Sequence, residues 1–479
     1  MRRIGRRRFL RSLAVGSVAM ASARPLRAAK EPAGRRPNVI VIVADDLGWR
    51  DVGYHGSGIR TPNLDRLARE GVVLDRFYVA PLCSPTRAGL MTGRHPLRMG
   101  IGCTVIRPWR THAMPADERM IPEVLAEAGY ARRGCFGKWH LGHSHVRHHP
   151  LNRGFTHYYG CYNGALDYFT HKREGELDWH RGHAPAREDG YTTHLISAEA
   201  VRFLRDCPAD RPFFCYVPYN APHSPWQVPK KYLAMYPNLP KKTRAYAGMV
   251  TAMDEGIGRI LAVLDARGLA ENTFVLFFSD NGGGIRSDNR PLRGRKGMVF
   301  EGGIRVPAVA RWPGGGLRGG RKVECVMGFV DVLPTLMRIA GVPDHKGKPL
   351  DGTDVLDAMR GTVRSIDRPW YAYISYGKKD RLAVLEGPWK LVYVGPRILQ
   401  TANPLSEGAV HLFRIREDPC EKTDLADKHP DVVRKLLAKV KEHRSWHGKT
   451  CLLDEPPKPK DFRAPKDWIL PGTPPDAMK

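Results

Sequence analysis

Apolar residues along this chain fall into two patterns, and the patterns predict its elements. Unbroken runs rich in β-branched and aromatic residues occur at Asn38 to Ala44, Phe213 to Val217 and Thr273 to Phe278. A run with no polar face reads as a central strand of a parallel sheet covered on both sides. Between these runs, apolar positions recur every three or four residues. They predict helices over Pro62 to Glu70, Met120 to Ala128 and Ala247 to Arg267, each followed by glycine (Gly71, Gly129, Gly268). The first opens with Thr61 and Pro62, a helix-start pair. A further strand is expected over 72–79, leading into a loop around Cys83. Alternating strands and helices imply an α/β fold with a large, mostly parallel sheet flanked by helices.

After about residue 365 the pattern changes. Short alternating runs at Trp370 to Ile374, Leu382 to Leu385 and Trp389 to Tyr393 predict a small antiparallel sheet, and Pro430 to His443 an amphipathic helix. Seven prolines between 456 and 475 suggest an extended tail. The expected organisation is a main domain over 37–364, an α+β subdomain over 365–450, and a tail over 451–479 packed on the surface.

Residues 1–30 belong to neither pattern. Arg6-Arg7-Arg8-Phe9-Leu10-Arg11 precedes an apolar run of small residues, Leu13 to Ala23, and then Ala28-Ala29. A basic segment, an apolar segment and a cleavage zone make an export signal, and the paired arginines resemble the twin-arginine type. The expectation is a periplasmic or extracellular protein that uses the twin-arginine translocase. No later stretch is long and apolar enough to span a bilayer. The formal charge is +28; nine Lys/Arg and no acid lie in the first 30 residues, so +19 remains on the rest. That field favours anionic partners. No zinc-finger, helix-turn-helix or RNA-recognition pattern accompanies it, so nucleic acid is not expected.

Nine cysteines contain no C-x-x-C pair, which disfavours zinc. Export permits disulfides among the eight other than Cys83, although Cys135 and Cys215 lie in apolar runs and read as buried thiols. The histidine-rich stretch Gly142 to His149 reads as a solvated loop, with a second metal site as the alternative.

Two strong strands end in polar clusters, Asp45-Asp46 and Asp280-Asn281-Gly282. Open parallel sheets bind ligands at the carboxyl ends of their strands, so these acids should meet. Three carboxylates and an amide gathered there repel and desolvate badly unless a hard divalent cation joins them. Cys83 lies in Cys83-Ser84-Pro85-Thr86-Arg87. Pro85 suits a first helical turn and Gly93 the helix end, which puts Cys83 at a helix N-terminus, where an anion is favoured. The motif taken locally also fits a partly exposed structural cysteine.

Cys83-Ser84-Pro85-Thr86-Arg87 with Thr92-Gly93 resembles the formylglycine signature of the type I sulfatases. Asp45-Asp46, Gly137-Lys138-Trp139-His140-Leu141-Gly142, Ala221-Pro222-His223, Asp280-Asn281-Gly282 and Arg293-Gly294-Arg295-Lys296 follow in the family's order. The resemblance spans roughly 38 to 445. Gly53-Tyr54-His55-Gly56-Ser57 and Gly164-Ala165-Leu166-Asp167-Tyr168-Phe169 are similar to arylsulfatase B, the N-acetylgalactosamine-4-sulfatase. The resemblance implies an alkaline-phosphatase-like fold and hydrolysis of sulfate esters of a saccharide. It implies that a formylglycine-generating enzyme oxidises Cys83, whose hydrated aldehyde attacks sulfur. It implies metal ligands Asp45, Asp46, Asp280, Asn281 and residue 83, with calcium usual and magnesium an alternative. Asp280 matches the group that activates the attacking hydroxyl. Arg87 and Lys138 match groups that orient the aldehyde hydrate, His140 the base of sulfate release, and His223 and Lys296 contacts to the sulfate and leaving oxygen. Two rivals share parts of this pattern: a phosphonate monoester hydrolase or phosphodiesterase of the same superfamily, and an inactive sulfated-glycan-binding protein.

Overall fold

The computed structural model describes residues 35–376, 379–400, 404–447 and 457–478. The export signal expected over 1–30 lies outside the described residues. Five strands run parallel: β1 (Asn38–Ala44), β2 (Arg132–Lys138), β3 (His157–Cys161), β4 (Phe213–Pro218) and β5 (Thr273–Ser279). Their spatial order is β5-β1-β4-β2-β3. β6 (Ala308–Arg311) lies antiparallel on β5, and short strands on both edges extend the sheet to ten.

β1 shows why the run had no polar face. Val39, Val41 and Val43 belong to one core cluster, Ile40, Ile42 and Ala44 to another, and every one is fully buried. Alternate side chains of one strand therefore nucleate two cores, one per face of the sheet. On the Ile40 face pack α1 (Pro62–Glu70), α3 (Thr192–Asp206) and α4 (Lys241–Ala266); on the Val39 face, α2 (Cys83–Thr92) and α5 (Val332–Ala340). α4 begins six residues before the expected Ala247, since Pro240 precedes a basic turn that has no apolar periodicity to reveal it. The strand expected over 72–79 is two: Val72–Leu74 joins the large sheet, and Phe77–Tyr78 pairs with Met327–Gly328.

The C-terminal sheet is an antiparallel meander of β7 (Trp370–Tyr376), β8 (Lys379–Glu386), β9 (Trp389–Pro396) and β10 (Ala409–Arg414). β10 was not predicted from the pattern. One face of this sheet packs on α6 (Pro430–Ser445) through Val433, Leu436 and Val440, and the other on the main body through Ala372, Ile374 and Phe413. In the tail, Trp468 is fully buried and donates from its indole N–H to the Arg173 carbonyl.

One sequence expectation needs correction, and the reading of Cys135 and Cys215 as buried thiols agrees with the structure. The histidine-rich loop is not solvated: His143, His148 and His149 are buried, and His143 and His149 bond the carbonyls of Pro108 and Gly182. These rings serve as hydrogen-bonding struts under the tail, and among the described residues they join no metal-binding group. Of the cysteines, Cys103 is disulfide-bonded, whereas Cys135, Cys161, Cys207, Cys215, Cys325 and Cys420 are free thiols.

A buried histidine pair seals the subdomain boundary. His443 Nε2 lies 3.0 Å from His95 Nδ1, and Tyr371 stacks on His443 at 4.4 Å. One ring must donate and the other accept, so the accepting ring is neutral. Burial pushes His95 down to about 4, with Arg98 adding to the effect and the Asp351 carboxylate and Tyr371 carbonyl opposing it. Burial, then the His95 charge, holds His443 below the usual range as well. The unfolded chain takes up these protons as pH falls below about 6.5, and the folded chain does not. Stability should therefore decline between about pH 6.5 and 4, by on the order of 3 kcal/mol from His95. His95→Asn should flatten the dependence of Tm on pH across that window; an unchanged slope would contradict the assignment.

Candidate functional site

The parallel strands direct their carboxyl ends to one side of the sheet, and the site lies there. Asp45 and Asp46 follow β1, Asp280 and Asn281 follow β5, Lys138 ends β2, and His223 follows β4 by five residues. Cys83 is the first residue of α2 and fully enclosed, with Gly93 closing the helix in left-handed conformation. All ten positions singled out from the sequence stand in one connected cluster.

Its electrostatics follow from pairing. Arg87 donates to Asp280 Oδ2 from Nε at 3.0 Å and Nη2 at 2.7 Å, and from Nη1 to the Lys138 carbonyl at 3.0 Å. Lys138 Nζ donates to Asp45 Oδ2. Lys296 Nζ donates to Asp46 Oδ1 at 2.5 Å, and His223 Nε2 lies 3.8 Å from Asp46 Oδ2. Burial opposes ionisation of Asp46, but Lys296 and His223 hold its carboxyl below the usual range. Burial and the Asp45 charge push Asp280 up, against Arg87 and Lys138. Burial also raises the Cys83 thiol, despite Lys138 and Lys296. Asp46 and His140 both adopt left-handed backbone, with φ of 71° and 56°. Such conformations in non-glycine residues collect at functional sites.

The residues fit a hard divalent cation. Asp45 Oδ1 and Asn281 Oδ1 are buried without a hydrogen-bond partner. The Asn281 amide spends its N–H groups on Asp46 Oδ1 at 2.8 Å and the Gly282 carbonyl at 3.0 Å, which leaves its oxygen free. Donor atoms of Asp45, Cys83 and Asp280 lie within 4.8 Å of one another, as do those of Asp45, Asp46 and His223. Orphaned oxygens among carboxylates are a costly arrangement without a cation.

His140 is set by residues the sequence did not flag. Its Nε2 bonds the Ile106 carbonyl at 2.9 Å; a carbonyl only accepts, so Nε2 carries the hydrogen and the buried, unpartnered Nδ1 is bare. Burial, then Lys138 and Arg87, keeps this ring well below its usual pKa. Ser84 Oγ bridges the two segments, donating to the His140 carbonyl at 3.1 Å and accepting from Ile106 N–H at 3.1 Å. Gly164 underlies the ring; a Cβ there would meet His140 Cε1 at 2.5 Å. Nothing in Thr104-Val105-Ile106-Arg107-Pro108 signals this clamp, because its contribution is a backbone carbonyl.

Cys83, His140, His223 and Lys296 face a cavity of 920 Å³. Arg107, Arg173, Arg295 and Arg381 line it too, from loops and from the C-terminal sheet. These four arginines make the cavity wall basic.

Comparison with known proteins agrees with this geometry. The sulfatase family model matches residues 37–342. The chain is 33% identical to mouse (Mus musculus) arylsulfatase J, over 90% of this chain and 78% of that one. It is 32% identical to N-acetylgalactosamine-6-sulfatase of the dog (Canis lupus familiaris), over 94% and 93%. The solved structure of Ps i-CgsB in complex with k-i-k-neocarrahexaose superposes with a TM-score of 0.79 at 32% identity, covering 87% of this chain and 94% of that one. These matches carry the family and not the narrower arylsulfatase B subgroup. A parallel sheet that gathers carboxylates and cations around Cys83, matched by this family over most of its length, makes the chain a member of the sulfatase family, the sulfuric ester hydrolases.

Proposed function

We propose that the chain is an exported, formylglycine-dependent sulfatase that removes sulfate from a sulfated oligo- or polysaccharide. One observation carries the nucleophile assignment: Cys83 sits at a helix N-terminus against the carboxylate cluster, yet burial raises its thiol. A thiol could attack sulfur once but would lack the second hydroxyl that expels sulfate. Oxidised to formylglycine and hydrated, residue 83 supplies one hydroxyl for attack on sulfur and a second whose deprotonation expels sulfate. Asp45, Asp46, Asp280 and Asn281 would hold a calcium or magnesium ion, which supplies Lewis-acid polarisation of the sulfate.

The chain's own groups complete the reaction. Asp280 is the base for the attacking hydroxyl, held in place by Arg87. Arg87 and Lys138 orient residue 83. His140 Nδ1, bare and buried, accepts the proton during release. His223 donates its Nδ1–H to the Ser224 carbonyl, and its Nε2 lies on the Asp46 side; burial and Lys296 disfavour the imidazolium while the Asp46 and Asp45 carboxylates favour it, and only in that form does Nε2–H give a proton to the departing oxygen. Charge grows on that oxygen as the ester breaks, so Lys296 and His223 stabilise the transition state.

The relatives' names support a sulfated sugar as substrate, as does the basic cavity. The Arg-rich N-terminus supports export by the twin-arginine translocase to the periplasm or beyond, after a formylglycine-generating enzyme has acted on the unfolded chain.

Chelation tests the cation. Treatment with excess chelator should abolish sulfatase turnover and lower Tm, and added Ca²⁺ should restore both; a Tm unmoved by either would remove the metal site. Assay of an aryl sulfate beside a phosphate diester tests the reaction, with sulfate expected to be strongly preferred. Preference for the diester would overturn the proposed function.

A further inference from the structure

The catalytic cavity is not closed on the side of His223 and Lys296. A smaller concavity of 350 Å³ shares His223, Ser224, Arg295 and Lys296 with it. Beyond lies a second cleft of 880 Å³, which shares Tyr246, Gly284, Ile285, Arg286, Ser287 and Arg295 with the smaller one. Arg295 lines all three. A continuous trough therefore runs from Cys83 past Arg295 to the outer cleft.

Arginines outnumber carboxylates here: Arg50, Arg286, Arg290 and Arg295 line the outer cleft beside Asp51 and Asp288. Among the described residues, no carboxylate forms an ion pair with Arg50, Arg286 or Arg295, all of which line the outer cleft. Both acids of the cleft are already engaged, and Asp288 also feels the Arg50 charge. Asp288 is held by Arg290 at 2.7 Å, and buried Asp51 accepts from the Tyr246 hydroxyl at 2.5 Å. Arg286 stands 5.5 Å above the Trp226 ring, and its buried Nε has no hydrogen-bond partner. Ile285, 71% exposed, adds apolar surface beside it. A concave surface on which arginines outnumber carboxylates attracts anions, and a planar guanidinium pairs with sulfate or carboxylate through two hydrogen bonds.

We infer that the outer cleft is a substrate subsite: the saccharide continues past Arg295 from the sugar being desulfated, and Arg50 and Arg286 bind a sulfate or carboxylate on a neighbouring sugar. The enzyme then selects polyanionic chains over isolated sulfated sugars. The inference rests on the proposed sulfatase reading, but the outer cleft lies apart from Cys83 and the carboxylates.

The test compares the parent with an Arg50→Ala/Arg286→Ala variant. Substrates are an aryl monosulfate and hexasaccharides of chondroitin sulfate and carrageenan. Loss of two charge-assisted contacts should lower kcat/KM on the preferred hexasaccharide by about 10- to 100-fold, chiefly through KM. Turnover of the aryl monosulfate should stay within about twofold, since neither arginine reaches the reacting atoms. Equal losses on both substrates, or none on the hexasaccharide, would overturn the subsite. Calorimetric binding of the same hexasaccharides gives a readout without chemistry. Unchanged affinity in the variant defeats the subsite even if no sulfate is released, whereas weakened affinity with no turnover in the parent defeats only the proposed reaction.

Discussion

A Cys83→Ala variant should fold as the parent does and hydrolyse sulfate esters slower by on the order of 10⁴-fold or more. The side chain is small and enclosed, so its removal disturbs packing little. It also heads α2 directly against the Asp45–Asp280 pair. Cys83→Ser discriminates further. A serine hydroxyl can attack sulfur once, but it lacks the second hydroxyl needed to expel sulfate. The expected result is one turnover per enzyme followed by a stall, with the sulfate mass retained on the peptide containing residue 83. Steady turnover by either variant would refute the nucleophile assignment. Mass spectrometry of the same peptide from the active parent should show the aldehyde in place of the thiol, and activity should track its fraction when the host's capacity for this oxidation is varied.

The second large effect concerns stability. Lys390 on β9 is fully buried; it donates to Glu301 Oε1 at 2.8 Å and forms an ion pair with Glu421 Oε1 at 2.8 Å. Glu301 belongs to the main body; Glu421 follows β10. The Tyr78 hydroxyl donates to Glu301 at 2.9 Å, and Glu301 N–H to Glu421 at 2.7 Å. Burial and the Glu301 charge push Glu421 up to about 7, against Lys390. Burial opposes ionisation of Glu301, but Lys390 and Arg305 hold it low. Lys390→Met keeps the length of the side chain and strands two facing carboxylates in a dry interface. The expected cost is about 3–5 kcal/mol, read from the denaturant midpoint. Adding Glu421→Gln to that variant should recover part of the loss, because a neutral amide removes the repulsion. A loss below about 1 kcal/mol for the single variant would show that water reaches the triad.

The elements and the raw materials of the site were legible in the sequence for local reasons. β1 and β5 declared themselves because a strand buried on both faces tolerates no polar position. The acids after them were interpretable because parallel strands end on one side, so two distant sequence segments share a destination. Pro85 and Gly93 bounded α2 because one residue pre-sets φ and the other accepts a left-handed turn, and between them they placed Cys83 at the helix head. Family resemblance then attached roles to Lys138, His140, His223 and Lys296, which periodicity does not distinguish from other surface or core residues.

What escaped the sequence arises from partners brought together by the fold. The Ile106 carbonyl that sets the His140 tautomer comes from 34 residues away and carries no side-chain signal. The histidine-rich loop looks solvated because its composition is polar, but the tail covers it and its rings bond carbonyls. Lys390, a charge within an alternating strand, gives no hint that Glu301 and Glu421 will meet it. Arg295 looks like any exposed arginine until three concavities meet at it. Local pattern reports which face of an element a residue occupies, through the periods of helix and strand. Which group lies across from that face, and whether water is excluded between them, depends on long-range packing; there, Cys83 acquires its carboxylates and the basic trough its continuity.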